Sequence, residues 1–479
     1  MHLKTFTAWT VAAIASLVPL VLCAQLEGPS VAANGSVQEA IDRNPGKMVF
    51  VPPGDYRISS ALRLKTDDSG LWGPGRIIQT NPEAEIIVLE KLHHVRLEDV
   101  TFTRAEGSME THRPGIDIVR CSDVTLENVQ VRDNRGNLAS IFAAYCTGLQ
   151  IKDSLVLNYS RIAIDDRTAI PGFGWAFTAI DGHGIMVRHS TGTRIEGNRI
   201  VEQKMLPTRE LKEKYHLGEF VKQNAHPGPQ TDAITWQRRY FNAWHQGAAV
   251  QITKGETSDY VQILGNYIEN AAQGLDIHGD HVIVAYNIIQ NARSGMKAVH
   301  GARNVIIVGN QFSHDDLWSI LIRPGSASHS MLTPDEIKTS DPADPEARTW
   351  PVQRPGANID GHSIIANNII SDFGYGTSHW IWAAEAGGST PIGAVPIQFT
   401  NSPTPERSPP ETDVIVSGNM IYDPGRDGIL VDGKPTIEPP RYQYAVKLGT
   451  GPNAPRGIHF NNNIFNPGTK GLSNVELTP

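Results

Sequence analysis

Short runs of alternating apolar and polar residues, rich in Val and Ile, recur along most of the chain, each ending in Asn or Asp followed by a second apolar run. IDIVRCSDVTLE stands between Gly115 and Asn128, IMVRHSTGTRIEG between Gly184 and Asn198, LDIHGDHVIVAY between Gly274 and Asn287, and MKAVHGARNVIIVG between Gly295 and Asn310. The spacing from Asn266 to Asn287 is 21 positions and from Asn287 to Asn310 is 23, and the phrase returns near Asn368, Asn419 and Asn463. Period-two alternation predicts short strands, and a repeat of this length predicts a solenoid. One rung cannot bury its inward face alone, whereas stacked rungs bury a continuous column. The repeated Asn is expected at a bend, where its amide bonds the same group one rung away and its backbone takes left-handed angles. The fold predicted is all-β, a right-handed parallel β-helix. The regular leucine spacing of a leucine-rich repeat is missing, and a propeller needs a period of about 40 residues. The one long helical pattern is Thr208–Glu219.

The segment SVQEAIDRNPGKMVFVPPGDYRI resembles the opening of pectate-lyase-like β-helix proteins. That resemblance implies a capping helix over Ser36–Arg43, then a first rung built from Met48–Val51, the turn Pro52-Pro53-Gly54, and Tyr56–Ile58. It implies fold and not activity, because such proteins include lyases, hydrolases, epimerases and non-enzymatic adhesins.

The ends and the interruptions of the rhythm set the domain plan. Lys4, an apolar run from Trp9 to Leu22 and the small residue Ala24 form a secretory signal pattern over residues 1–24, which places the mature protein outside the cell or in the periplasm. Residues 25–479 form a single domain, interrupted by insertions at about 203–246, 324–355 and 383–412. No later stretch has the length and apolarity of a membrane span. Of three cysteines, Cys23 leaves with the signal; Cys121 and Cys146, at equivalent places in adjacent repeats, either pair or stack as small core groups, and stacking is the simpler arrangement. A monomer is expected.

The formal net charge of −8 argues against a nucleic-acid binder. Against that background a basic stripe stands out. Aligned at the ends of their strands, the rungs place Arg120, Arg188, Lys254, His278, His300 and Arg323 in one outward column, with Tyr145 in the same place and Asp276 and Lys297 beside it. Arg188, Lys254 and Arg120 suit the carboxylates or sulfates of an anionic polymer, and Trp236 and Trp244 in the first insertion can stack on sugar rings. Lys297, His300 and His278 can move protons, Asp276 can orient an imidazole, and Arg323 can stabilise charge on a uronate carboxylate. That set fits β-elimination from an acidic glycan, by a lyase. Return of the proton from the opposite face would instead give C5 epimerisation.

Three further resemblances attach to these residues. Asp276-Ile277-His278 resembles the Asp-x-His rung of bacterial mannuronan C5-epimerases, with Ile where that family has Pro, and implies active-site roles for Asp276 and His278. Lys297 with Arg323 is similar to the Lys/Arg pairs of β-helix alginate and chondroitin lyases; calcium remains an option without a clear carboxylate cluster. Asp165-Asp166 and Asp181-Gly182-His183-Gly184 resemble elements of polygalacturonase-type hydrolases, which would make Asp165, Asp166 or Asp181 the acids of a glycosidase. For these residues a plain turn is the stronger reading. A carbohydrate-binding or adhesion solenoid without catalysis is the rival of another class.

Overall fold

The computed structural model describes residues 28–136, 138–164, 178–204, 247–253, 258–299, 301–324, 360–376, 394–402, 405, 409–423, 425 and 428–479. The chain is a right-handed parallel β-helix. Among the described residues, three parallel sheets of twelve strands each run the length of the molecule, and successive strands of a coil go to successive sheets. The first sheet starts with Met48–Phe50, the second with Asp55–Ile58 and the third with Leu62–Arg63. Helix Val37–Arg43 stands ahead of the first coil; Ser36 caps it by accepting the Glu39 N–H, and Val37, Ala40 and Ile41 are buried. No helix among the described residues is long and apolar enough to cross a membrane.

The core is a stack of aliphatic rows. In the third sheet Ile185, Val250, Leu275, Met296, Ile320 and Ile397 lie in register in successive coils, and every one is fully buried. Each such side chain contributes roughly 1.5–3 kcal/mol relative to exposure, so the column gains core with every coil added. Cys121 and Cys146 belong to this core as unpaired thiols.

The repeated asparagine divides into two adjacent rows. Asn198, Asn266, Asn287, Asn310, Asn368, Asn419 and Asn463 form a buried ladder, in which each Nδ2 donates to the next Oδ1 at 2.9–3.0 Å. Each oxygen also accepts the backbone N–H one coil back. The left-handed backbone expected of the same residue belongs instead to its predecessor. Asn128, Asp153, Gly197, Gly265 and Gly309 hold φ of 51–67° at that corner. Asn128 and Asp153 therefore stand one position before the ladder and not in it. Glycine is common in this row because it takes positive φ without a Cβ clash.

A second correction concerns the interval 383–412. Ile397–Phe399 inside it is a strand of the third sheet, paired with Trp318–Arg323 on one side and Tyr444–Leu448 on the other. Its Pro396 precedes the strand, where a missing N–H is tolerated. The helical pattern at Thr208–Glu219 lies outside the described residues.

Candidate active site on the third sheet

Inward and outward residues alternate along the third sheet's strands, so two outward rows run parallel to the solenoid axis. One passes through Asp117, Phe142, Met186, Gln251, Asp276, Lys297, Leu321, Gln398 and Lys447. The other, two residues later on each strand, passes through Val119, Ala144, Arg188, Thr253, His278, Val299 and Arg323.

This register revises the predicted stripe. Arg188, His278 and Arg323 do share a row, but Thr253 and Val299 separate them, so neighbouring basic side chains stand two coils, about 10 Å, apart. Like charges directly opposite one another would be destabilising, and the interleaving avoids that contact. Arg120 belongs to a different row. Strand Ile116–Val119 ends one residue before it, and Arg120 enters the turn with φ 55°. Strands His183–Arg188 and Trp318–Arg323 end on the same row as Val119, so Arg188 and Arg323 are the last residues in the sheet while Arg120 falls one position beyond it. The Arg120 guanidinium carbon lies 5.6 Å from the centroid of the Tyr145 ring, which stacks on His189 at 4.7 Å. Arg120 is four coils, about 19 Å, before His278.

The structure brings together Asp276, His278 and Lys297. Asp276 and His278 are two apart on strand Gln273–Ile277 and its exit, hence on one face; Lys297 is the register partner of Asp276 in the next coil. His278 Nε2 is 2.8 Å from Asp276 Oδ1, and Lys297 Nζ is 3.3 Å from the same oxygen. Gln251, one coil earlier, donates to Asp276 Oδ2 at 3.1 Å. Although outward-facing, Asp276 and His278 are only 4% and 8% exposed. Burial by itself would raise the Asp276 carboxyl, but the charges of His278 and Lys297 and the hydrogen bonds from His278 and Gln251 outweigh it and hold the group well below the usual carboxylate range. Burial lowers the Lys297 ammonium, Asp276 opposes that shift, and the positive charges of Arg323 and Arg293 add to it. With the carboxylate at Nε2, a neutral His278 carries its proton there and its lone pair on Nδ1.

His183, set aside in the sequence as a turn residue, opens strand His183–Arg188 and is buried. Its Nδ1 accepts the Ala248 N–H at 3.1 Å. Burial pushes its pKa down to about 4, within the electrostatic reach of Asp276, Lys297 and His278, so it is neutral near pH 7. Gln251 is the member that sequence reasoning missed, whereas His183 was noticed in its Gly-His-Gly element and read as a turn. The only signal for Gln251 was its place one repeat before Asp276.

Lys254, His300, Trp236, Trp244, Asp165 and Asp166 lie outside the described residues. Asp181 ends strand Thr178–Asp181, which pairs antiparallel with Arg161–Ile164. No group of three or more His, Cys, Asp or Glu converges as a metal site among the described residues, so the calcium option gains no residues here.

No protein-family model and no curated protein matches the chain. Solved structures do. The chain is similar to the catalytic domain of a GH87 α-1,3-glucanase in complex with nigerose, with a TM-score of 0.52 at 10% identity, over 94% of this chain and 67% of that one. It is also similar to the A-module of the Azotobacter vinelandii mannuronan C-5 epimerase AlgE6 (TM-score 0.46, 13% identity, 94% of this chain and 99% of that one). A third is PfbA, a surface adhesin of Streptococcus pneumoniae (TM-score 0.47, 13% identity, 93% and 92%). At such identities the likeness is one of fold, and the chemistry has to be argued from the side chains.

Proposed function

We propose that the protein is an exported carbohydrate-active enzyme that cleaves an acidic, uronate-containing glycan by β-elimination. The observation that carries this reading is one buried carboxylate, Asp276, holding an imidazole and an ammonium together on the outer face of the solenoid, with the Arg323 guanidinium a coil beyond Lys297.

Asp276 fixes the tautomer and orientation of His278, so that Nδ1 takes the C5 proton of a bound uronate. As the C5–H bond breaks, negative charge grows on the adjacent carboxylate; Arg323 and Lys297 stabilise it in a site where burial strengthens each Coulombic interaction. The electron pair forms the C4–C5 double bond, the C4–O4 bond breaks, and the Lys297 ammonium, its pKa lowered by burial, protonates the departing oxygen. The products are an unsaturated uronate and a new reducing end. Proton return from His278 to Lys297 through solvent resets the site. Arg188, two coils before His278, holds a second acidic unit.

The test is incubation with uronans and neutral glucans, read for ultraviolet absorbance and for reducing ends. Both signals from a uronan support the lyase. Reducing ends without absorbance make it a hydrolase, altered uronate epimer composition without cleavage makes it an epimerase, and binding without any change makes it an adhesin; each of these overturns the proposal.

A further inference from the structure

The outward rows continue past the Asp276 cluster into a second concavity. Leu321, Gln398 and Lys447 follow Lys297 in register, and Thr400 and Gly449 continue the row of Arg323. A cavity of about 390 Å³ opens there, lined by Arg323, Gln398, Thr400, Asn401 and Lys447 among others. Among the described residues its lining contains two cations and no carboxylate, and neither Arg323 nor Lys447 has an acidic partner there. In a protein of net charge −8 such a pair is conspicuous.

The remaining polar atoms point the same way. The Gln398 Oε1 accepts the Trp318 indole N–H at 2.5 Å, which leaves Nε2 as the amide's donor end. The Thr400 hydroxyl is a buried polar atom without a hydrogen-bond partner, and such groups are costly unless something else satisfies them. An ammonium, a guanidinium, an amide N–H and a hydroxyl around one cavity form a donor set that matches carboxylate or sulfate oxygens.

We infer that this cavity is a subsite for an acidic sugar unit, held by Arg323 and Lys447, so that the glycan lies along the axis from the Asp276 cluster toward the C-terminal coils. The nature of the ligand rests on the acidic-glycan reading above; the anion preference rests on the cavity itself. Lys447 lies three coils, about 14 Å, beyond Lys297, the span of a few sugar units.

Calorimetric titration of the full chain tests this, with a mannuronate hexamer, a chondroitin sulfate hexasaccharide and neutral maltohexaose as probes. Carboxylate and sulfate are thereby distinguished. An acidic probe is expected to bind and maltohexaose to fail; Lys447→Ala should weaken the binding on the order of 10-fold, Lys447→Arg should retain most of it, and any turnover should show a raised KM with kcat nearly unchanged. Unchanged binding in both Lys447→Ala and Arg323→Ala overturns the subsite, even if the probe is cleaved and the lyase stands. Binding that depends on Lys447, with no product from any uronan, keeps the subsite and overturns the lyase. Absence of binding to every acidic probe overturns both.

Discussion

Asp117 and Asp276 stand in the same outward row of the same sheet, four coils apart, and their carboxyls shift in opposite directions. Burial pushes Asp117 up to about 6, and the nearby charges of Glu85 and Glu90 add to the rise. Asp276 is more deeply buried, yet it is held well below the usual range by His278, Lys297 and Gln251. The backbone under them is the same; what differs is what stands one coil away. Beyond Asp117 come Phe142 and Met186, which with Ala139 and Ala144 form an apolar patch outside the main core. Beyond Asp276 come Lys297 and, two residues over, Arg323. The inward rows of both regions are interchangeable aliphatics, so the solenoid leaves its outer face free to be apolar packing at one end and a cluster of charged groups at the other.

His278→Ala should break the contrast most severely. On the proposed mechanism, loss of the base is expected to lower kcat on a uronan by on the order of 10²–10⁴-fold, whereas Asp117→Asn leaves kcat unchanged; steady-state assays of both variants check this. Asp276→Asn comes next. It leaves Lys297 buried without its counter-charge, a loss of about 3 kcal/mol at pH 7. Because the folded pKa of Asp276 is depressed, its contribution is present above the ordinary carboxylate value and fades as pH falls, so the gap from wild type in urea unfolding should narrow below about pH 4.

His183 sharpens the same boundary with a pH slope. Its folded pKa of about 4 lies below the ordinary 6.5, so the unfolded chain binds more protons in between, and stability should drop by on the order of 3 kcal/mol on going from pH 7 to pH 4. His183→Gln, compared with wild type in denaturant titrations at both pH values, should remove that part of the slope. Asp117 gives the smallest effect and the opposite sign. Its folded pKa is raised, so its contribution is present at low pH and is lost as pH rises through about 6. Asp117→Asn should therefore gain up to about 2 kcal/mol at pH 8, reduced by the solvent the group still meets, and nothing at pH 4.

The repeat was readable because one coil follows another at nearly constant spacing, and a buried amide ladder demands the same residue each time. Its detail was less so. The sequence shows an Asn or Asp in every phrase but not which of two neighbouring corner positions it takes, and that difference separates Asn128 from Asn198. Asp276 and His278 were visible as a pair two apart, and Lys297 as their neighbour, because strand alternation alone puts them on one face. The basic column slipped by one at Arg120 because that arginine follows the last residue of its strand, Val119, whereas Arg188 and Arg323 are themselves the last residues of theirs. Gln398 was hidden, since its three-residue strand lies within a Gly- and Pro-rich stretch with too little alternation to stand out.

The amide ladder has a consequence for how such a molecule changes length. Each asparagine is tied to the ones directly above and below it and to the backbone of the adjacent coils, so a whole coil inserted or removed leaves an unbroken series of identical joints. Distances along the outer face are thus set in whole steps of about 4.8 Å. The gap between the Asp276 cluster and the cavity at Lys447 can be lengthened or shortened only by a full step at a time, a ruler that would match one size of repeating unit and reject those in between.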